Sequence, residues 1–247
     1  MQIQVVTCSG ANEHTEIAGL FNLASRSVVE VEFGIQASGK KASFGTARYW
    51  WLKSLYYYQQ ANKKLLSLSL HLNCDWVERF CKGEVPDEVD EFLSLKNYDG
   101  TYFIGAVQLN FKVGRERKPK VTNLIEVMNR YPHQQFILSY NDNNFGVISQ
   151  LYNANVEFDL LYDDSYGEGI VPQERHAPLF DDVTQGYAGG FSPENIYEEL
   201  NKLSKIVPKK RDIFIDAEGR LKGDNGHFSV ERAKLFVDEV NRWIKNH

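Results

Sequence analysis

The sequence predicts an α/β protein, a single (β/α)8 barrel domain spanning 1–247. Three observations predict it. Eight short β-rich runs recur along the whole chain with helical patterns between most of them, and 247 residues suit one large barrel. No Pro/Ser-rich linker, low-complexity tract or internal repeat breaks the alternation. The rival, a doubly wound open sheet, would carry a glycine-rich phosphate turn after its first strand, and "TCSGANEH" has no GxGxxG.

The strands are read at 3–8, 28–36, 66–73, 105–111, 135–141, 156–164, 187–190 and 212–219. The first, "IQVVTC", has no clear alternation of polarity, so facing Cys8 inward is a choice. The second carries Glu30 and Glu32. The third alternates cleanly. Leu66, Leu68, Leu70 and Leu72 take one parity and should pack on helices, leaving Ser67, Ser69, His71 and Asn73 on the inner face. By the same parity the fourth strand turns Gln108 and Asn110 inward, the fifth Ser139 and Asn141, the sixth Asp159 and Asp163, and the eighth Asp216 and Glu218. Helices are read in "HTEIAGLFNLAS", "ARYWWLKSLYYYQQANKK", "KVTNLIEVMNRY", "FGVISQLYNA", "PENIYEELNKLS" and "SVERAKLFVDEVNRWIK". In the last, Ala233, Phe236, Val237, Val240 and Ile244 share one face. Two stretches exceed a minimal barrel: 74–104 is long, and 165–183 shows no clear helix.

The seventh strand ends in "AGGFSPEN". Ser192 followed by Pro193 signals a helix start. The Gly189–Gly190 pair before it answers either to a positive φ, or to a close approach by some bulky group, or to an anion held at the helix N-terminus.

Composition bounds the function. A net charge of −5 and an isoelectric point near 5.7 argue against general affinity for nucleic acid. No apolar run reaches the roughly 18 residues of a membrane span. Cys8, Cys74 and Cys81 show no CxxC spacing, and the N-terminus lacks a signal-peptide pattern, so a reducing cytoplasm is the expected location. The basic run 112–121 reads as a solvated loop, and the helical aromatics "YWW" and "LYYYQQ" as core or as a partner surface. The polar and acidic strand ends together read as an enzyme-like mouth, because burying so many polar groups is unfavourable unless they are paired or used.

The chain resembles the phosphoribosylanthranilate isomerases of tryptophan biosynthesis. "VVTCSGAN" supplies Cys8 and Asn12, "VQLNF" keeps Gln108 with Asn110 in place of a His, and "DLLYDDSYGEG" supplies Asp163, Gly167 and Gly169. "AGGFSPEN" matches the close of strand seven, and "IDAEGRLKGDNGHFSVERAKLFVDEV" follows the plan of strand eight and the last helix. The resemblance implies an Amadori rearrangement of an aminoaldose phosphate to an aminoketose, without a cofactor. Asp163 would be the general acid and Cys8, as thiolate, the general base. The small-molecule sugar phosphate would lie against Gln108, Asn110, Gly167 and Gly169, its phosphate at Gly189, Gly190 and Gly219, where strands seven and eight end. The sequence departs from the family in several places. Its substrate-binding Arg is absent from "GIQASGKKASFG", where Lys40, Lys41 or Arg48 stand nearby; the loop after strand six lacks its Lys; and Glu218 stands in place of a Ser. A diverged isomerase, epimerase or lyase on another sugar therefore remains open. So does a metal-dependent enzyme using Glu32, His71, Asp163, Asp216 and Glu218, and so does a non-catalytic binding module.

Overall fold

The computed structural model describes residues 1–111, 119–163 and 169–247. Gly167 and most of the basic run, 112–118, lie outside them. Eight parallel strands follow one another in sequence order around a closed barrel. They are β1 Gln2–Ser9, β2 Glu30–Ala37, β3 Ser67–Leu72, β4 Ala106–Leu109, β5 Gln135–Tyr140, β6 Asp159–Tyr162, β7 Gln185–Tyr187 and β8 Asp212–Ala217. Helices α1 (Ile17–Ala24), α2 (Gly39–Ala42), α3 (Ala47–Asn62), α4 (Cys74–Cys81), α5 (Asp87–Ser94), α6 (Val121–Arg130), α7 (Phe145–Asn153), α8 (Ile196–Ile206) and α9 (Val230–Asn246) lie between and after them. No helix among the described residues is long and apolar enough to cross a membrane. Contacts gather the chain into two compact units, Met1–Gly34 with Leu160–His247, and Ile35–Asp159.

In the first unit, β1 pairs with β2 on one side and β8 on the other, and β7 lies between β6 and β8. Its apolar rows (Val6, Val31 and Ile215, then Cys8, Phe33 and Ala217) are buried. α9 closes the unit. Ser229 caps it by accepting from the Arg232 amide at 3.3 Å, and Ala233, Phe236, Val237 and Val240 are buried as the pattern predicts. Ile244 is only half-buried. Trp243 takes the last core position instead, its indole N–H donating to Asn201 Oδ1 of α8 at 2.8 Å.

The predicted gap after the sixth strand is real: 169–184 contains no helix. Pro172 and Pro178 each remove a donor and stand six residues apart, which leaves no room for a helix interior. The segment is fastened by side chains of the strands it covers. Tyr162 donates to Ala177 O at 3.2 Å, Tyr187 to His176 O at 3.0 Å, and Arg211 to Phe180 O at 2.6 Å and to Val183 O. The His176 ring stacks on Tyr162 with centroids 5.2 Å apart. Tyr162 therefore faces away from the inner surface as expected, but onto this strap rather than onto a helix.

In the second unit, β4 lies between β3 and β5. The long 74–104 stretch resolves into α4, α5 and a small loop closed by a bridge between Lys96 and Tyr102. Cys74 and Cys81 stand at the two ends of α4. The aromatic run of α3 divides by helical face. Tyr49 and Trp51 are buried, whereas Trp50 and Tyr57 are 58% and 60% exposed.

Candidate active site

Strand register decides which side chains share a face. Thr7 of β1 pairs with Glu32 of β2 and with Asp216 of β8, so the three point the same way. The hydrogen bonds agree. Thr7 Oγ1 donates to Glu32 Oε1 at 3.0 Å, and Ser9, two residues on, donates from Oγ to Asp216 Oδ1 at 2.6 Å. This polar row alternates with the apolar row containing Cys8. All of these residues belong to the first unit, as do Asp163 at the end of β6 and Glu218 at the end of β8.

Two carboxylates are deeply buried here, Glu32 at 6% and Asp216 at 7% exposure. Burial pushes the Asp216 carboxyl well above the usual carboxylate range. The neighbouring charges of Glu218, Glu32 and Asp163 push it further, and the Ser9 hydroxyl only partly offsets them. The cluster thus holds a carboxylic acid that keeps its proton where an ordinary aspartate has lost it. Glu30, read from the sequence as inward, is exposed at the start of β2.

Cys8 requires a correction. It was expected to face inward as a thiolate base, yet it pairs with Phe33 and Ala217 on the apolar face, opposite to Thr7 and Ser9. It is fully buried, and burial, with the charge of Asp216 added, pushes its thiol far up, away from the thiolate. A strand without alternating polarity gives no parity signal. The signal that was available is Thr7 and Ser9, hydroxyls two apart, opposite Glu32 and Asp216.

The glycine pair falls after β7 rather than inside the seventh strand, since β7 ends at Tyr187. Gly189 and Gly190 have φ of +88° and +70°, where an L side chain is strained. A Cβ on Gly190 would also meet the strap, 2.5 Å from Val171 N and 2.8 Å from Ile170 C. Both the turn and the close approach of the chain to itself therefore call for glycine. Arg175 locks the arrangement. Its side chain is 3% exposed, and the guanidinium donates to Ala188 O, to Gly189 O at 2.9 Å and to Glu199 Oε2 at 3.1 and 3.2 Å and lies over the Phe191 ring. Ser192 and Pro193 lie in a turn ahead of α8, which begins at Ile196 rather than at Pro193 as the sequence pattern predicts. The Glu194 amide donates to Ser192 Oγ at 3.2 Å, the Ser192 amide to Asn195 Oδ1 at 2.9 Å, and the Ile196 amide to Ser192 O at 3.0 Å.

Gly219 opens a single 3-10 turn, Gly219–Leu221, and is exposed, with no heavy atom within 4 Å of where its Cβ would be. Glu218 precedes it, and a Cβ on Gly10 of the loop after β1 would lie 3.5 Å from Glu218 Cγ. A phosphate dianion about 5 Å from one carboxylate is opposed by about 6–7 kcal/mol at an effective dielectric near 20. Gly169, at the start of the described strap, has φ of +67°.

Gln108 and Asn110 lie in the second unit, joined to the other expected polar residues of that unit. Gln108 donates to Asn110 Oδ1 at 2.9 Å, Asn110 to Asn73 Oδ1 at 3.1 Å, and Asn73 to Gln36 Oε1. His71 lies on the same parity, its Nε2 3.1 Å from Ser69 Oγ, and burial lowers its pKa to about 3. Of the three cations near the missing family Arg, Arg48 is buried and donates to Gln36 O at 2.8 Å, and Lys40 and Lys41 are exposed on α2. Among the described residues, no three His, Cys, Asp or Glu side chains are placed to hold a metal ion together.

Fold and strand ends together define a (β/α)8 barrel, an architecture whose active sites sit at the C-terminal ends of the strands. Among solved structures the chain is similar to N-(5'-phosphoribosyl)anthranilate isomerase from Pyrococcus furiosus, 9% identical with a TM-score of 0.52 over 97% of this chain and 99% of that one. It is also similar to phosphoribosyl anthranilate isomerase from Thermococcus kodakaraensis, 11% identical with a TM-score of 0.52 over 96% and 98%, respectively. TrpF from Jonesia denitrificans is 12% identical with a TM-score of 0.54, covering all of both chains. At such identities the likeness is one of fold, and at that level it agrees with the motif resemblance. No protein-family model and no curated protein matches the chain.

Proposed function

We propose that the chain is an aldose–ketose isomerase of the isomerase-like barrel type, working by general acid–base catalysis at the carboxyls of the first unit. The observation that carries this reading is Asp216, a buried carboxyl held protonated among Glu32, Glu218 and Asp163, with Ser9 fixing one of its oxygens. An isomerase needs one acid and one base tuned apart, and a carboxyl whose burial raises its pKa is the usual acid. With Cys8 on the other face, Asp163 takes the part of the base.

On an open-chain aldose, Asp163 removes the C2 proton while Asp216 gives its proton to O1. The C2–H electron pair forms the C1=C2 bond, the carbonyl π pair goes to O1, and a 1,2-enediol results. Asp163 then returns its proton to C1 as Asp216 takes the O2 proton, leaving a ketone at C2. Both carboxyls are restored and no electrons leave the substrate. In the Amadori version implied by the resemblance the same two roles apply, with an amine nitrogen in place of O1.

The test is loss of the C2 proton with deuterium appearing at C1 of the ketose in D2O, followed by NMR over a panel of aldoses and aminoaldoses, phosphoribosylanthranilate among them. Asp216→Asn and Asp163→Asn are each expected to lower the rate by about 10²–10⁴-fold. Exchange at the wild-type rate in both variants would remove the reading.

A further inference from the structure

We propose that the second unit binds a short peptide, a di- or tripeptide with both ends free, in a cavity at the N-terminal ends of β4 and β5. The cavity measures about 490 Å³ and lies wholly within that unit, so it does not depend on the isomerase reading. Its size is that of a small-molecule site. Three segments line it. One face of α5 presents Asp87, Asp90 and Ser94, which recur at helical spacing. The loop before β4 contributes Lys96 and Tyr102, and the end of α6 with the turn before β5 contributes Arg130, Tyr131 and His133.

The charges in this cavity do not pair with one another. Among the described residues, the Asp87 side chain has no hydrogen bond or ion pair, and Asp90 uses only Oδ1, accepting from the Tyr131 hydroxyl at 2.5 Å. Burial, with the bond to Asp90 added, pushes the Tyr131 phenol well up, so it stays a donor and fixes that carboxylate. Arg130 donates only through Nη2, to Gly83 O at 3.3 Å, which ties it to the loop between α4 and α5. The Lys96 ammonium meets no acid. It lies over the Tyr102 ring, 5.1 Å from the centroid, and Tyr102 in turn stacks on His133 with centroids 3.5 Å apart.

The arrangement is dipolar. Arg130 acts on the same phenol that holds Asp90, so it belongs to the acidic end and offsets one of the two carboxylates there. A negative surplus remains at Asp87 and Asp90, and a positive charge stands at Lys96, beyond the other end of α5. Asp87 and Ser94 are about 10 Å apart along the helix at its usual rise. An α-amino acid carries its ammonium and carboxylate on one carbon and cannot reach both ends. A chain of two or three residues extends by about 3.3–3.6 Å per residue and can. Its ammonium would donate to the carboxylates, its carboxylate would accept from Lys96, and the Ser94 hydroxyl between them can bond a backbone amide. A ligand charged at one end only would leave the opposite end of the cavity unmatched.

The experiment titrates the isotope-labelled full chain with trialanine and follows backbone amide shifts by NMR, with N-acetyl-trialanine, trialanine amide and free alanine in parallel. Saturable shifts are expected within 85–102 and 130–133, with trialanine bound at least about tenfold more tightly than the other three. Asp87→Asn should weaken trialanine and leave N-acetyl-trialanine, which has no ammonium, unchanged. Lys96→Met should weaken trialanine and leave trialanine amide, which has no carboxylate, unchanged. Both side chains are exposed, and the unliganded spectra of the variants show whether the fold is kept. Trialanine that gives no saturable shift, or shifts only other segments, would overturn the proposal. So would equal affinity for alanine or a blocked peptide, which would remove the two-ended match, and so would trialanine affinity unchanged in both variants.

Discussion

Asp216 and Cys8 sit one strand position apart in register, and their environments set opposite chemistry. Thr7 is the residue of β1 opposite Asp216, so Cys8 turns to the apolar row, where it acts as a small packed hydrophobe. Cys8→Ala should therefore cost about 1 kcal/mol of stability through the lost sulfur volume. It should leave the exchange rate within about twofold, as an ordinary packing change would; a loss of 10²-fold or more would restore the thiol to the chemistry. For Asp216 the sign of the stability effect can be worked out. Its folded pKa lies above the unfolded value, so the folded state holds the extra proton. The stability it contributes is fully present below the unfolded pKa and is lost as pH rises through the folded one. Asp216→Asn should thus raise the urea midpoint at neutral and alkaline pH relative to the wild type, with little gain near pH 3, even as it abolishes exchange. An equal gain at every pH would mean that Asp216 is ionised throughout. The inward placement of Asp216 was within reach of sequence reasoning, since "DIFIDAEG" has a clear parity, although the sequence reading gave the part of the acid to Asp163. Cys8 was misplaced because "IQVVTC" taken alone offers two equally apolar faces, and the polar parity marked by Thr7 and Ser9 shows only when the run is read past Cys8.

At the scale of the element, the strap 169–184 stands where a helix would cover β6 and β7. A helix satisfies its own backbone, whereas an irregular segment has to borrow partners. Here the partners are Tyr162, Tyr187, Gln185, Arg211 and Arg175. The two prolines made the missing helix legible in the sequence. The fasteners were not legible, because each pairs a side chain with a backbone group outside any regular element, which leaves no periodic trace. For the same reason the sequence did not show that the chain itself approaches Gly190. Arg175→Met should be costly. Among the described residues it leaves two carbonyls without this donor and Glu199, 4% exposed at its side chain, with Lys202 at 2.7 Å as the remaining counterion. Breaking a buried pair in this way costs about 3–5 kcal/mol, and removing both partners costs less. Urea melts should show Arg175→Met well below the wild type and Arg175→Met/Glu199→Leu partly recovered. Hydrogen exchange should quicken first in 169–184. If the single and double variants melted together with unchanged exchange there, the guanidinium would not be holding the strap.

On the scale of the whole molecule, the barrel was legible because alternation of strand and helix is a property of the entire chain and survives local misreadings. The seventh strand was placed two residues late and its helix three residues early, yet the strand order was unaffected. Parity within strands was legible where one face is uniformly apolar, as in β3. That strand carries the group that should dominate the acid limb of stability. His71 is 1% exposed, bonded to Ser69, and burial alone holds its pKa near 3, against an ordinary value of 6.5. Because the folded pKa is depressed below the unfolded one, the unfolded chain binds the extra proton between those values. Stability from neutral His71 is therefore complete above about pH 6.5 and is lost as pH falls toward 3. A difference of some 3.5 units amounts to about 4–5 kcal/mol at most. Asp216 works in the opposite direction, losing its contribution as pH rises, so the wild type should be most stable at mildly acidic pH rather than at neutrality. Urea denaturation from pH 3 to 8 tests the balance. The wild type should lose stability steeply only below about pH 4, where Asp216 no longer offsets His71, and His71→Gln, which cannot take up a proton, should flatten that limb without steepening the side above about pH 6.5. An acid limb unchanged in His71→Gln would show that His71 reaches solvent or a counterion when protonated.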